Sequence, residues 1–122
     1  MAITQTSLNA IKTQVLNDID TTYGYIAVGD DATAPVVGNT TLGNETDREA
    51  LFEAASIITN TIRMYIFLDT TENNGNDINE AGLFDAASSG TMFARSLSNS
   101  ITKDAFTEVT MEYAITVDAL NA

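Results

Sequence analysis

Cysteine, histidine and tryptophan are absent from this 122-residue sequence, and proline occurs once, at Pro35. Without cysteine neither a disulfide framework nor a thiolate metal site is available. Without histidine the commonest general base and the commonest zinc ligand are missing as well. Positive charge is scarce: 5 Lys and Arg stand against 17 Asp and Glu, a formal net charge of -12. Such a chain repels nucleic acid and anionic membrane, so direct binding to either is not expected. No run of roughly 18 apolar residues occurs, so no membrane-spanning helix is expected. The amino terminus lacks a basic segment followed by an apolar one, and no secretory signal is expected. These absences remove most hydrolase and metalloenzyme chemistry, and the expectation is a protein that is not an enzyme.

What is present fits one domain over residues 1–122, read as a helix and its end (1–24), a strand and long loop (25–48) and an antiparallel sheet (49–122). The acidic bias suits a protein working in concentrated salt, where screening removes self-repulsion. An acidic protein from an ordinary environment fits equally.

Residues 6–22 place Leu8, Ile11, Val15, Leu16 and Ile19 at spacings of three and four, one apolar stripe on a helix. Thr6 or Ser7 is expected to cap its start, with Gly24 soon after its end. The stripe must be covered by the chain's own sheet or by a partner subunit, and the first is expected. Residues 25–28 are β-prone and run into the turn signal Gly29-Asp30-Asp31. From there to Asp47 the composition is that of a long loop. Residues 49–62 satisfy two templates: Leu51, Ala54, Ala55, Ile58 and Ile62 as a helical stripe, or Ala50, Phe52 and Ala54 as strand alternation. Over 61–69 the alternation is clear, with Ile62, Met64, Ile66 and Leu68 on one face and Thr61, Arg63, Tyr65 and Phe67 on the other. Both faces are partly apolar, which predicts cover on both. Residues 70–77 are a polar loop. A last strand over 106–117 directs Val109, Met111, Tyr113, Ile115 and Val117 inward and Glu108, Thr110, Glu112 and Thr116 outward. Between these lie two apolar segments, 81–84 and 92–94, flanking a small-residue cluster that ends in Ser88-Ser89-Gly90, the composition of a β-hairpin. The fold class expected is mainly β with one N-terminal helix: an antiparallel sandwich or curled sheet of about five to seven strands covered by the helix.

The hairpin also carries the most recognisable residues. Ile78-x-Glu80-x-Gly82-Leu83-Phe84-Asp85, Gly90-Thr91-Met92-Phe93-Ala94-Arg95 and Ile101-x-Lys103 resemble a domain of tailed-virus structural proteins, notably the amino-terminal parts of tail-fibre or tail-collar proteins. Ile26-Ala27-Val28-Gly29-Asp30-Asp31-x-x-Ala34-Pro35 and Thr41-Leu42-Gly43-Asn44-Glu45-x-x-Arg48 resemble the same family in the same order, so the similarity covers nearly the whole chain. It departs after Gly29, where two aspartates replace the family's small residues. The resemblance implies two strands joined near Thr59-Asn60 and a module without cofactor. It implies a homo-oligomer, a ring or trimer, attached to other virion proteins in a tail fibre, collar or baseplate region. Synthesis in a host cytoplasm and residence in the virion follow. A capsid decoration or turret protein would reuse the same module. From another class, a glycan- or receptor-binding surface module is the alternative, with Tyr23 and Tyr25 the aromatics beside the long loop.

Several groups of residues are candidates for chemistry or contact. In the acidic loop, Asp69, Asn73 and Glu80 are oxygen donors for calcium or magnesium; the glycine falls one place late for an EF-hand, and a solvated turn is the better reading. Glu108 and Glu112 share a strand face but lie roughly 14 Å apart, beyond the about 5–9.5 Å that glycosidase pairs need. Glu45 with Arg48, and likewise Arg95 and Lys103, are expected as structural ion pairs or as cations satisfying loop carbonyls. Phe67, Phe84, Phe93 and Tyr113 are expected in the core. Leu8, Ile11, Val15, Asp30, Asp31 and Pro35 are the candidates for partner contact, because the helix and the long loop carry surface that a sheet need not bury.

Overall fold

The computed structural model describes residues 1–52 and 56–117. The chain opens with α1 (Gln5–Thr22), capped by Thr4, whose hydroxyl accepts the Ser7 N–H at 3.3 Å. The cap therefore precedes the expected Thr6 and Ser7, which lie inside the first turn: Thr4 alone of these has the extended backbone a cap requires (φ -72, ψ 157). Leu8, Leu16 and Ile19 are buried, and Val15 packs against the core cluster that holds Leu16 and Ile19. Ile11 is not part of the covered stripe and stays 44% exposed. At 3.6 residues per turn it lies roughly 80° around the helix from Ile19, on the edge of the apolar face.

Two antiparallel sheets follow. The first has the order β2 (Glu45–Ala50), β1 (Tyr25–Gly29), β5 (Asn76–Phe84), β6 (Met92–Lys103); the second has β3 (Ser56–Ile58), β4 (Thr61–Leu68), β7 (Val109–Thr116). The fold is thus mainly β with one N-terminal helix, arranged as a sandwich, with seven strands among the described residues. Ile26, Val28, Ala81 and Leu83 of the first sheet meet Ile62, Met64, Ile66, Leu68, Val109 and Tyr113 of the second, with Leu16 and Ile19 of α1 in the same core. Each of the four β4 side chains is fully buried and contributes about 1.5–3 kcal/mol relative to an exposed position.

The β5–β6 hairpin and the inward register of β7 stand as the sequence implies. Ser89 and Gly90 both take positive φ at the tip of the hairpin. Thr59 takes φ 59 in the turn between β3 and β4; the expected Ala54 and Ala55 positions lie outside the described residues.

Three boundaries differ. The long loop ends at Asn44 and β2 begins at Glu45, inside the segment read as loop, because β2 is held by pairing with β1 rather than by apolar alternation of its own. β7 starts at Val109 and Phe106 is 96% exposed, since Asp104 closes a turn by accepting the Phe106 N–H and the Thr107 hydroxyl. The outer face of β4 is only partly covered: Arg63 and Phe67 are exposed, and the Phe52 ring meets Tyr65 and Phe67 edge-on at centroid separations of 6.3 and 6.4 Å.

Candidate functional site

The outer face of the first sheet carries the densest set of polar contacts. A register shift between Ile78 and Glu80 lets Ile78 enter the core while Glu80, two residues on, serves the opposite face. Glu80 is fully buried there. One carboxylate oxygen accepts the Gly43 N–H at 2.7 Å and Arg95 Nε at 2.9 Å; the other accepts the N–H groups of Asn44 at 2.9 Å and Asp31 at 3.1 Å. Arg95, whose side chain is 4% exposed, reaches on to Asn39 Oδ1 at 3.3 Å and Asp31 Oδ2 at 3.4 Å. Burial by itself would push the Glu80 carboxyl up, but the three loop N–H groups and the guanidinium outweigh it and hold the group below its ordinary value.

The loop between β1 and β2 is thereby fastened to the sheet at both ends. Asn79 donates to the Asp30 carbonyl and Asn44 to the Asp30 carboxylate. Leu42 folds under the loop onto Ala27 and Phe84 in a second small core. The approach is close enough that a Cβ on Gly29 would strike the Asn44 carbonyl, and one on Gly43 would strike the Asp31 side chain.

Beside it, Arg48 lies over the Phe84 ring at 3.7 Å. It grips Glu45 with two bonds of 2.7 and 2.9 Å and donates to the carbonyls of Ala86 and Ser89 at 2.9 and 2.8 Å. One cation thus joins β2, the β5–β6 loop and an aromatic face, the planar fork doing what a lysine could not. Glu45 and Arg48 are the ion pair expected. Arg95 is paired too, with Glu80, a partner the sequence reading had set aside for metal.

Asp69, Asn73 and Glu80 are not brought together. Asp69 accepts from the backbone and hydroxyl of Thr71, Asn73 takes a left-handed turn conformation (φ 55), and Glu80 is committed to Arg95 and the loop. Counting them along one loop fails because β5 begins at Asn76, which puts Glu80 on a strand. Lys103 is buried and makes no direct salt bridge among the described residues; its ammonium donates to Asn74 Oδ1 and the Asp104 carbonyl, both at 2.9 Å, while its charge acts on the carboxylates of Asp69 and Asp104. Glu112 is held by Arg63 at 2.7 Å and by the Tyr65 hydroxyl at 2.9 Å.

An acidic grouping that sequence reasoning missed lies on the other face. Asp47, Glu49 and Glu72 place carboxylate oxygens within 4.8 Å of one another. Asp47 and Glu49 pair with Val28 and Ile26, so they share the core-facing side of the sheet. Glu72 comes from the β4–β5 turn and accepts the Asp69 N–H at 2.9 Å. Burial, then hydrogen bonds to Glu72 and Asp47, then their negative charges, push Glu49 up to about 8. Asp47 Oδ2 is buried within this group and has no hydrogen-bond partner among the described residues. Two of the three sat in segments read as loop, where no periodicity betrays a common face.

Of the partner-contact candidates, Leu8 is buried and is withdrawn, Val15 is half-buried on the core, and Asp31 belongs to the Arg95 network. Ile11, Asp30 and Pro35 are exposed, and Val36 and Val37 beside Pro35 are 64% and 107% exposed. Phe84 and Tyr113 are buried as expected. Phe67 and Phe93 are not, at 38% and 42% exposure; Phe93 falls in an irregularity of the β5–β6 pairing and stacks at 5.0 Å on Tyr23 instead.

No family model matches the chain, and no curated protein matches it. Among the described residues no helix is long and apolar enough to cross a membrane.

Proposed function

We propose that this chain is a virion structural protein, a homo-oligomeric assembly or attachment module of a tailed virus that works without a cofactor and is not an enzyme. The observation that carries the reading is where the recognisable residues fall. Gly29, Leu42, Gly43, Asn44, Glu80 and Arg95 all belong to the one constellation that fastens the long loop to the sheet. Motif residues spent on holding a loop in shape suit a module whose output is a surface. The exposed segment Pro35-Val36-Val37 is the part that this fastening presents, and together with Ile11 it is where attachment is assigned. The place in the virion that fits best is a tail fibre, collar or baseplate region.

The deciding experiment is cryo-electron microscopy of purified particles, with Val36→Asp/Val37→Asp and Ile11→Asp variants scored for incorporation. Finding the chain in the particle, and losing it with the loop variant, supports the reading. A chain that never enters a particle refutes it. The exposed rings of Phe52 and Phe67, which meet edge-on, favour the glycan-binding alternative, which a glycan array on the purified chain tests.

A further inference from the structure

The five basic residues are accounted for without reaching one cluster of three acids. Arg48 is paired with Glu45, Arg63 with Glu112 and Arg95 with Glu80 and Asp31; Lys103 is bonded to Asn74 and the Asp104 carbonyl; Lys12 lies on α1. Asp47, Glu49 and Glu72 therefore crowd their oxygens within 4.8 Å with no ion pair to a cation among the described residues. Three full negative charges at that spacing are untenable in a partly buried site. Asp47 Oδ2 adds to the difficulty, being buried with no hydrogen-bond partner among the described residues. Removing charge by protonation resolves it: a protonated carboxyl becomes a donor and bonds its neighbours.

The cluster also joins separate parts of the fold. Asp47 and Glu49 stand on the edge strand of the first sheet, whereas Glu72 belongs to the turn that leads out of the second. Among the described residues, the neighbouring elements bring the following groups. On β2, Arg48 and Glu45 serve the opposite face with Phe84. In the turn, Asp69 is bonded to Thr71 and adds another negative charge, while the Lys103 ammonium, bonded to Asn74, acts on Asp69 from the other side of the turn. β4 directs the uncharged Ile66 and Leu68 into the core that β2's neighbour strand shares.

We propose that Asp47, Glu49 and Glu72 form a proton-held clasp that ties β2 to the β4–β5 turn and loosens when the shared proton leaves. Below the transition the carboxyls hydrogen-bond one another across the gap. Above it the same contacts are repulsive and the edge strand loses a tether. The raised Glu49 value, about 8, puts the transition on the alkaline side of neutrality. A folded state that keeps its proton to higher pH than the unfolded chain, whose glutamate releases it near 4.5, loses stability steadily as pH rises between the two values.

The test is a carbon-detected NMR titration of the Glu49 carboxyl in the full chain between pH 4 and 10. It is joined to urea unfolding at pH 7 and 9 for the wild type, Glu49→Gln and Glu72→Gln. A Glu49 midpoint near 8 is expected. The wild-type folding constant should fall about fivefold to tenfold from pH 7 to pH 9, and that of Glu49→Gln less than twofold, because the amide donates permanently. A midpoint below about 5.5, the ordinary carboxylate range, overturns the clasp, and so does an equal pH response in wild type and Glu49→Gln. Should Glu49→Gln fail to fold, the NMR midpoint and Glu72→Gln, expected to lower that midpoint by at least one pH unit, decide the matter.

Discussion

Glu80 Oε1 lies 2.9 Å from Arg95 Nε, both side chains are sealed from solvent, and the same carboxylate takes three backbone N–H groups from the loop above it. Removing either member strands a buried charge, which costs about 3–5 kcal/mol. Glu80→Gln and Arg95→Met are each expected to lower the unfolding free energy measured in urea by that amount, and the double variant by less than their sum. Limited proteolysis should show new cleavage between Asp31 and Asn44 in both. A double-mutant cycle that is additive would break the link between these two residues.

Acid should act through the same carboxylate. Because the Glu80 value is held down in the folded state, its contribution is present above the ordinary glutamate value near 4.5 and is lost as pH falls through the folded one. Thermal scans from pH 5 to pH 2.5 should show the wild type losing more stability than Glu80→Gln. Taken with the opposite slope expected from Glu49, the chain should be most stable on the mildly acidic side of neutrality.

Arg48 makes a two-pronged bond to Glu45, two bonds to carbonyls and a face contact with Phe84. Lysine at this position keeps the charge and loses the fork. Arg48→Lys is expected to cost about 1–3 kcal/mol, and amide exchange should quicken at residues 86–90, which the guanidinium holds.

Gly29 has no room for a side chain, since the Asn44 backbone occupies the space and cannot move without dragging the loop. Gly29→Ala should destabilise by about 1–3 kcal/mol, whereas Gly24→Ala, which meets nothing within 4 Å, should change little. Equal effects at the two positions would show that the loop yields freely.

The helix separates assembly from folding. Leu16 is buried and Ile11 is not, so Leu16→Ala is expected to cost about 2–5 kcal/mol. Ile11→Asp should leave the unfolding free energy of the isolated chain within about 0.5 kcal/mol, so any loss of incorporation it causes belongs to a contact.

Elements with strong periodicity were legible without coordinates: the α1 stripe, the inward rows of β4 and β7 and the β5–β6 hairpin. Ile11 was misplaced because spacings of three and four admit a residue at the margin as readily as one at the centre. β2 escaped notice because Glu45-Thr-Asp-Arg-Glu-Ala carries no apolar row; its register is written in the partner strand. For the site, Glu45 and Arg48 were readable because they lie three residues apart, a separation short enough to suggest a pair. Glu80 and the loop amides are separated by 36 to 49 residues, and no local pattern could join them. Phe93 looked like core until an irregularity in pairing turned it aside.

Because Arg48, Arg95 and Lys103 are sunk beneath the surface, the sign that an approaching molecule meets is set almost wholly by carboxylates. Seen from outside, this chain is a polyanion whose counterions are dissolved salt. Two such bodies can draw near only where their ionic atmospheres interpenetrate, so the ionic strength of the medium, more than any single contact, sets the distance at which copies first sense one another.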